Sequence, residues 1–163
     1  MLNSTELLPF VNAGIVDDKQ IQQVSIDLRV DSISMIEDGN FIGVNGNKLV
    51  SSTDKYDSLL TSEPSKGQRY QLLPGFYRVD FEESIIVPSN KAFQVIHRSS
   101  LLRSGTLITS AIYDPGFKGK LGAFMIVNHP ITIEKGARIA CLYGFDCREL
   151  ETALLYNGQY QNQ

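Results

Sequence analysis

Two arginines and three serines fall within the nine residues His97-Arg98-Ser99-Ser100-Leu101-Leu102-Arg103-Ser104-Gly105. A guanidinium presents a rigid fork of donors that matches phosphate oxygens, and serine hydroxyls and backbone N–H groups add more. The chemistry this mixture suits is the holding of a phosphate chain, although a segment this short, taken alone, is more often a solvated basic turn. Further along, Asp114-Pro115-Gly116-Phe117-Lys118-Gly119 sets a carboxylate on a proline–glycine corner. Pro at the second position and Gly at the third fit a type II turn, and Pro115 keeps Asp114 extended. The functional reading is a general base on a rigid support. The plainer reading is a hairpin tip whose Asp only stabilises the turn. A third acid, Asp27, lies in Ser25-Ile26-Asp27-Leu28 on the polar side of an otherwise apolar strand, where facing solvent is the simplest expectation.

Other chemistries find no support. His97, His129, Cys141 and Cys147 match no usual zinc-ligand spacing. No H-x-E pairs with C-x-x-C, as a zinc-type nucleoside deaminase would require. The phosphate loop G-x-x-x-x-G-K-[ST], the dinucleotide fingerprint G-x-G-x-x-G and the G-x-S-x-G elbow are missing as well. The net charge of -3 argues against a general attraction to nucleic acid or to anionic membranes. Two cysteines in 163 residues make no disulfide framework. No basic-then-apolar leader opens the sequence, and no apolar run reaches membrane-spanning length. The expectation is a soluble, reduced, cytoplasmic protein with one domain over residues 1–163.

The elements that must position these residues read as mainly β. Asn3, Ser4 and Thr5 offer an N-cap for a short helix, with Glu6 in its first turn, Leu7, Leu8 and Val11 on one face and Gly14 as its end. Pro9 is tolerable there only near a first turn. From Gln23 to Val30 the sequence alternates, with Val24, Ile26, Leu28 and Val30 on one side and Ser25, Asp27 and Arg29 on the other. Residues 31–70 read as hairpins and a mobile surface stretch around Ser51 to Gly67. Strands are expected at Phe76–Phe81, Ile85–Val87, Ala92–Ile96, Thr106–Tyr113, Leu121–Val127, Ile131–Ile133 and Ala137–Phe145. Their spacing suits a sandwich or barrel. The polar end, residues 156–163, reads as a disordered tail or as a lid that orders.

In order along the chain, these segments resemble the trimeric dUTPase and dCTP deaminase superfamily. Gln23-Val24-Ser25-Ile26-Asp27-Leu28-Arg29-Val30 resembles the deaminase start Q-P-A-S-I-D-L-R-L. Arg98-Ser99-Ser100-Leu101 with Arg103 matches R-S-S-L-x-R, and Asp114-Pro115-Gly116-Phe117-Lys118-Gly119 matches D-x-G-[FY]-x-G. Gly136-Ala137-Arg138-Ile139-Ala140-Cys141-Leu142 is similar to G-x-R-I-x-Q-L, with Cys141 in place of the glutamine. Tyr160-Gln161-Asn162-Gln163 resembles the end of the deaminase tail K-Y-x-x-Q, with Gln159 in place of its lysine.

The resemblance implies a distorted, jelly-roll-like β-barrel, a homotrimer with sites between subunits, and Mg²⁺ held through the triphosphate rather than by protein ligands. It implies Asp114 as the base that activates water, and Arg98, Ser99, Ser100, Arg103 and Gln163 around the phosphates. It puts Thr109, Ser110 and Ala111 at the base, Phe117 against the deoxyribose, Tyr160 in the closing tail, and Asp27 in support. Deaminases carry a glutamate on the strand after the turn. Ungapped counting puts Phe124 there, and no acid occurs from Leu121 to Val127. Phenylalanine transfers no proton, so hydrolysis of dUTP to dUMP and pyrophosphate is the expected reaction. The alternatives are a dCTP deaminase, a dCTP or dual dCTP/dUTP pyrophosphohydrolase, and a regulatory nucleotide binder without turnover.

Overall fold

The computed structural model describes residues 1–12, 17–36, 41–43, 46–48, 60–63, 67–148, 150–151, 154–158 and 160–162. The N-terminal cap forms as its residue types require. The Asn3 side chain accepts from the Glu6 N–H at 3.1 Å and the Glu6 carboxylate accepts from the Asn3 N–H at 2.8 Å, a reciprocal capping box. The helix is a single turn, α1 (Ser4–Leu7), and Pro9 converts the next residues, Leu8–Phe10, into a 3₁₀ turn. That change of period separates Leu7, which is buried, from Leu8, which is exposed rather than on the same face. The expected helix end, Gly14, lies outside the described residues.

The strands are β1 (Ile26–Met35), β2 (Phe41–Gly43), β3 (Gly46–Lys48), β4 (Leu60–Glu63), β5 (Gly67–Leu72), β6 (Gly75–Ile86), β7 (Lys91–His97), β8 (Thr106–Thr109), β9 (Lys118–Val127), β10 (Ile131–Glu134) and β11 (Arg138–Asp146). A short helix, α2 (Ser99–Arg103), sits between β7 and β8. Six strands close a barrel in the order β1-β11-β7-β8-β9-β6, and β6 pairs back onto β1. All these pairings are antiparallel. Closure leaves the barrel with no free edge. A second sheet, β10-β5-β4, and the hairpin β2-β3 lie outside the ring. Inward positions alternate along the barrel strands and fill it with Leu28, Val30, Tyr77, Val79, Phe81, Phe93, Val95, Leu121, Met125 and Leu142, all buried. The mainly β barrel with a short N-terminal helix is therefore observed.

Several boundaries differ from the sequence reading. The first strand begins at Ile26, where its ladder with β11 begins, so Val24 is 50% exposed and packs in no core. Asp27 does not face solvent; it is 2% exposed. The two segments expected at Phe76–Phe81 and Ile85–Val87 form one strand, β6, because Glu82-Glu83-Ser84 marks an irregularity in pairing and no turn. β8 ends at Thr109, and Tyr113 rejoins β7 through an isolated bridge to Phe93. Within the stretch expected to be mobile, Leu60–Glu63 is a strand paired with β5, and residues 49–59 and 64–66 lie outside the described residues. Among the described residues no helix is long and apolar enough to cross a membrane.

Candidate functional site

The pairing irregularities of β1 and β6 create a buried polar seam. Register shifts occur between Leu28 and Arg29, between Val30 and Ser32, and between Asp80 and Ser84. A bulged ladder leaves backbone groups without partners and re-aims side chains. Glu83, with no exposure, fills the gap by accepting from the Arg29 N–H at 3.0 Å, Arg29 Nε at 2.8 Å and Gln20 Nε2 at 2.9 Å. The Gln20 amide also donates to the Asp27 carbonyl at 2.8 Å, which ties this seam to the next one.

That next seam holds the first candidate site. Asp27 Oδ2 receives Arg98 Nε at 3.0 Å, Arg138 Nη1 at 3.2 Å and Gln22 Nε2 at 3.3 Å. Burial pushes the Asp27 carboxyl above its ordinary value, while Arg98 and Arg138 pull in the opposite direction. Arg98 is also fixed through Nη1, which donates to the Arg138 carbonyl at 3.1 Å. These contacts use two of its three nitrogens. Arg98 is the extended N-cap of α2, and Leu101, 6% exposed, anchors that turn. Gly105 ends it at φ 77, donating to the Leu102 carbonyl at 3.0 Å. Ser99, Ser100 and Arg103 are thereby held on an exposed turn. His97 faces the β8 backbone, its Nδ1 at 3.1 Å from the Ile108 carbonyl oxygen. Arg138 has no role in the sequence reading; its signal is a cation opening the apolar strand Ile139-Ala140-Cys141-Leu142. Gln20, Gln22 and Glu83 give none, because their meaning depends on the bulges.

The second candidate site is the Asp114 corner. The Phe117 N–H donates to the Asp114 carbonyl at 3.0 Å and Gly116 has φ 90, so the expected type II turn forms. It is tied to Val87 on one side, Gly116 N–H to the Val87 carbonyl at 3.0 Å and Val87 N–H to the Phe117 carbonyl at 2.8 Å. The Asp114 side chain is exposed and makes no ion pair among the described residues. Phe117 is 6% exposed and lies between Tyr113, at 5.1 Å between ring centroids, and Tyr156, at 5.6 Å. Burial pushes the Tyr113 hydroxyl up to about 12, and it bonds to Gly122, so it is no base at neutral pH. Thr109 and Ala111 are exposed. The Ser110 hydroxyl accepts from the Val95 N–H at 2.9 Å and donates to the Ala111 carbonyl at 2.6 Å.

The chain's end lies against this corner. The Tyr156 N–H donates to the Pro115 carbonyl at 2.8 Å and the Asn162 N–H to the Lys118 carbonyl at 2.7 Å. Tyr160 is 43% exposed, and its N–H lies 3.3 Å from the Tyr156 hydroxyl. Gln163 lies outside the described residues. Phe124, at the position counted for the deaminase glutamate, faces outward from β9, stacks on Phe76 at 6.0 Å and is in register with Thr109.

The two candidate sites lie toward opposite ends of β7. Tyr113 is bridged to Phe93 near the start of β7, whereas Arg98 comes just after its last residue. Five residues of strand at ~3.3 Å each put Phe93 and Arg98 about 16 Å apart. Among the described residues no group of three His, Cys, Asp or Glu side chains stands ready to hold a metal ion.

The chain is thus a closed antiparallel barrel carrying an arginine–serine turn and an exposed Asp on a proline–glycine corner. Residues 9–145 match the family model described as dCTP deaminase-like, and the chain belongs to that family. It is similar to the deoxyuridine 5'-triphosphate nucleotidohydrolase of Methanocaldococcus jannaschii, 37% identical over 91% of this chain and 91% of the relative. The probable deoxyuridine 5'-triphosphate nucleotidohydrolases of Halobacterium salinarum and Methanosarcina mazei are 31% and 29% identical, over 91% and 100% of this chain and 87% and 97% of theirs. Among solved structures, the 2'-deoxycytidine 5'-triphosphate deaminase of Agrobacterium tumefaciens aligns with TM-score 0.63 at 19% identity, over 88% of this chain but 47% of that one, and shares the fold.

Proposed function

We propose that this chain hydrolyses dUTP to dUMP and pyrophosphate as a homotrimer. The observation that carries this reading is the likeness to the M. jannaschii nucleotidohydrolase over nine-tenths of both chains. The absence of any acid from Leu121 to Val127 separates it from deamination: Phe124 occupies the counted position and transfers no proton.

In this reading Asp114 accepts a proton from a water that attacks the α-phosphorus. Arg98 presents its remaining nitrogen to the phosphates, with Ser99, Ser100 and Arg103 adding donors from the same turn. Asp27 and Arg138 hold Arg98 in one orientation, so its charge is in place before the reaction begins, and preorganised charge dominates phosphoryl-transfer catalysis. The exposed Thr109 and Ala111 backbone faces the base, with Ser110 shaping that loop. Phe117 backs the sugar, and Tyr160 belongs to the segment that docks beside it. Mg²⁺ carried by the triphosphate would neutralise phosphate charge. The donor set suits an ion brought by substrate, since Asp27 Oδ2 is already occupied by two arginines.

The placement of the two candidate sites toward opposite ends of β7 supports the trimer. In a 3-fold assembly a neighbouring copy can bring its arginine–serine turn to Asp114. The two free thiols, Cys141 and Cys147, suit a reducing cytoplasmic setting.

The test is product analysis with Mg²⁺ and either dUTP or dCTP. Monophosphate and pyrophosphate from dUTP is the expected result. The same products from dCTP widen the substrate range. Ammonia from dCTP overturns the hydrolase assignment, and binding without product from either nucleotide replaces it with a regulatory binder.

A further inference from the structure

Among the described residues the Asp114 carboxylate makes no hydrogen bond or ion pair, so its position follows from the backbone on either side: Tyr113, paired with Phe93, and residues 115–118. Four of the seven backbone groups of that latter stretch are met by the C-terminal segment. Gly116 N–H and the Phe117 carbonyl are satisfied by Val87, and the Phe117 N–H by Asp114 itself. The other four groups turn to the C-terminal segment. The Pro115 carbonyl takes the Tyr156 N–H at 2.8 Å and the Lys118 carbonyl takes the Asn162 N–H at 2.7 Å. The Gly116 carbonyl and the Lys118 N–H are both met by one side chain, Gln161, whose Nε2 donates at 2.9 Å and whose Oε1 accepts at 3.0 Å. A single amide thus spans the turn on either side of Phe117, as a neighbouring strand would.

Two further features fit this docking. Asn162 has φ 63, the only positive value on a non-glycine residue among the described residues, and Asn tolerates that region best. A Cβ placed on Gly116 would lie 2.7 Å from Leu155 Cβ and 3.0 Å from the Tyr156 N atom, so the glycine permits the close approach.

Resting on the hydrolase reading, we infer that the C-terminal segment is a strap that sets the geometry of the Asp114 turn, with Gln161 as its positioning residue. This differs from a cover over the phosphates. A cover acts on substrate affinity. A strap acts on where the base stands when water is attacked, and a displacement of about 1 Å there costs on the order of a hundredfold in rate.

The experiment uses the full chain with Gln161→Met, which keeps the length but removes both hydrogen bonds, and Gln161→Glu, which keeps only the acceptor for Lys118. Expected for Gln161→Met is a kcat for dUTP lowered by about ten- to a hundredfold with KM within about twofold. Hydrogen exchange in peptides covering residues 114–119 should rise, while peptides from β7 and β11 stay unchanged. Gln161→Glu should fall between this variant and the unaltered protein. Three results overturn the strap: kcat unchanged, turn exchange unchanged, or KM raised with kcat intact. Should the unaltered protein fail to hydrolyse dUTP, the hydrolase reading falls separately, and the exchange data alone decide whether Gln161 holds the turn.

Discussion

The Arg98 region and the Asp114 region are built by opposite means. Arg98 is fixed by a buried carboxylate, with Asp27 at 2% exposure receiving two guanidinium groups inside a bulged β1–β11 seam. Asp114 is exposed and carried by main-chain contacts, with Tyr113 paired to Phe93 before it and the turn after it tied to Val87 and the C-terminal segment. A cation that binds phosphate keeps its function while paired, because guanidinium has donors to spare. A carboxylate that accepts a proton loses basicity when salt-bridged, so its support has to come from the backbone. Side-chain pairing therefore organises one half, and main-chain pairing the other.

The largest expected effect strips the exposed half of its chemistry alone. Asp114→Asn should lower kcat by about 10²- to 10⁴-fold. Its Tm should be unchanged, since among the described residues the Asp114 side chain makes no ion pair or hydrogen bond. A variant that loses activity and Tm together would mean that Asp114 is structural.

Gly116→Ala comes next, because it attacks the main-chain support. The positive φ and the close approach of Leu155 and Tyr156 should cost about 1–3 kcal/mol in denaturant unfolding, with kcat reduced as well. Unchanged stability would refute the docking of the terminal segment on this corner.

Asp27→Asn probes the buried half with the opposite signature. Burial already disfavours the Asp27 charge, so removing it should cost only about 1 kcal/mol of stability. Arg98 loses its anchor, and KM for dUTP should rise about tenfold, the cost of roughly 1.4 kcal/mol of binding. A large loss of Tm with normal KM would reverse the assignment.

The smallest effect is a matter of pH. Asp31 lies on the same strand as Asp27 but is partly exposed, and its pKa is lowered, chiefly by its hydrogen bond from Lys120. Its stabilisation is present above the ordinary value near 3.8 and is lost as pH falls through the lowered folded value. Asp27, raised, works in reverse: its contribution is full below that ordinary value and declines as pH rises through the higher folded one. Asp31→Asn should therefore lower stability at pH 7 by less than about 1 kcal/mol and by nothing in strong acid. Thermal melts of both proteins across pH 2–7 test this; a constant difference would exclude the Lys120 pair as its source.

The legible parts were local. The Asn3–Glu6 capping box, the Pro115-Gly116 turn and the alternation of most barrel strands need only neighbours in sequence, and each formed. Predictions failed where a distant partner decided. Val24 continued the apolar alternation but precedes the ladder with β11, which begins at Ile26. Glu82-Glu83-Ser84 looked like a break, yet Glu83 is buried because Arg29 and Gln20 reach it across the barrel. Arg138 reaches Asp27 from 111 residues away.

By itself the sequence determined the β architecture, the turn that carries Asp114 and the resemblance to a nucleotide-handling family, because hydrophobic period, turn stereochemistry and motif order are properties of contiguous residues. Only the tertiary structure decided that Asp27 is buried beneath two arginines and that the chain's end is docked on the Asp114 corner. It also decided that the two candidate sites lie toward opposite ends of β7. Those facts depend on strand register and barrel closure, and register comes from how all six strands pack together rather than from any one segment.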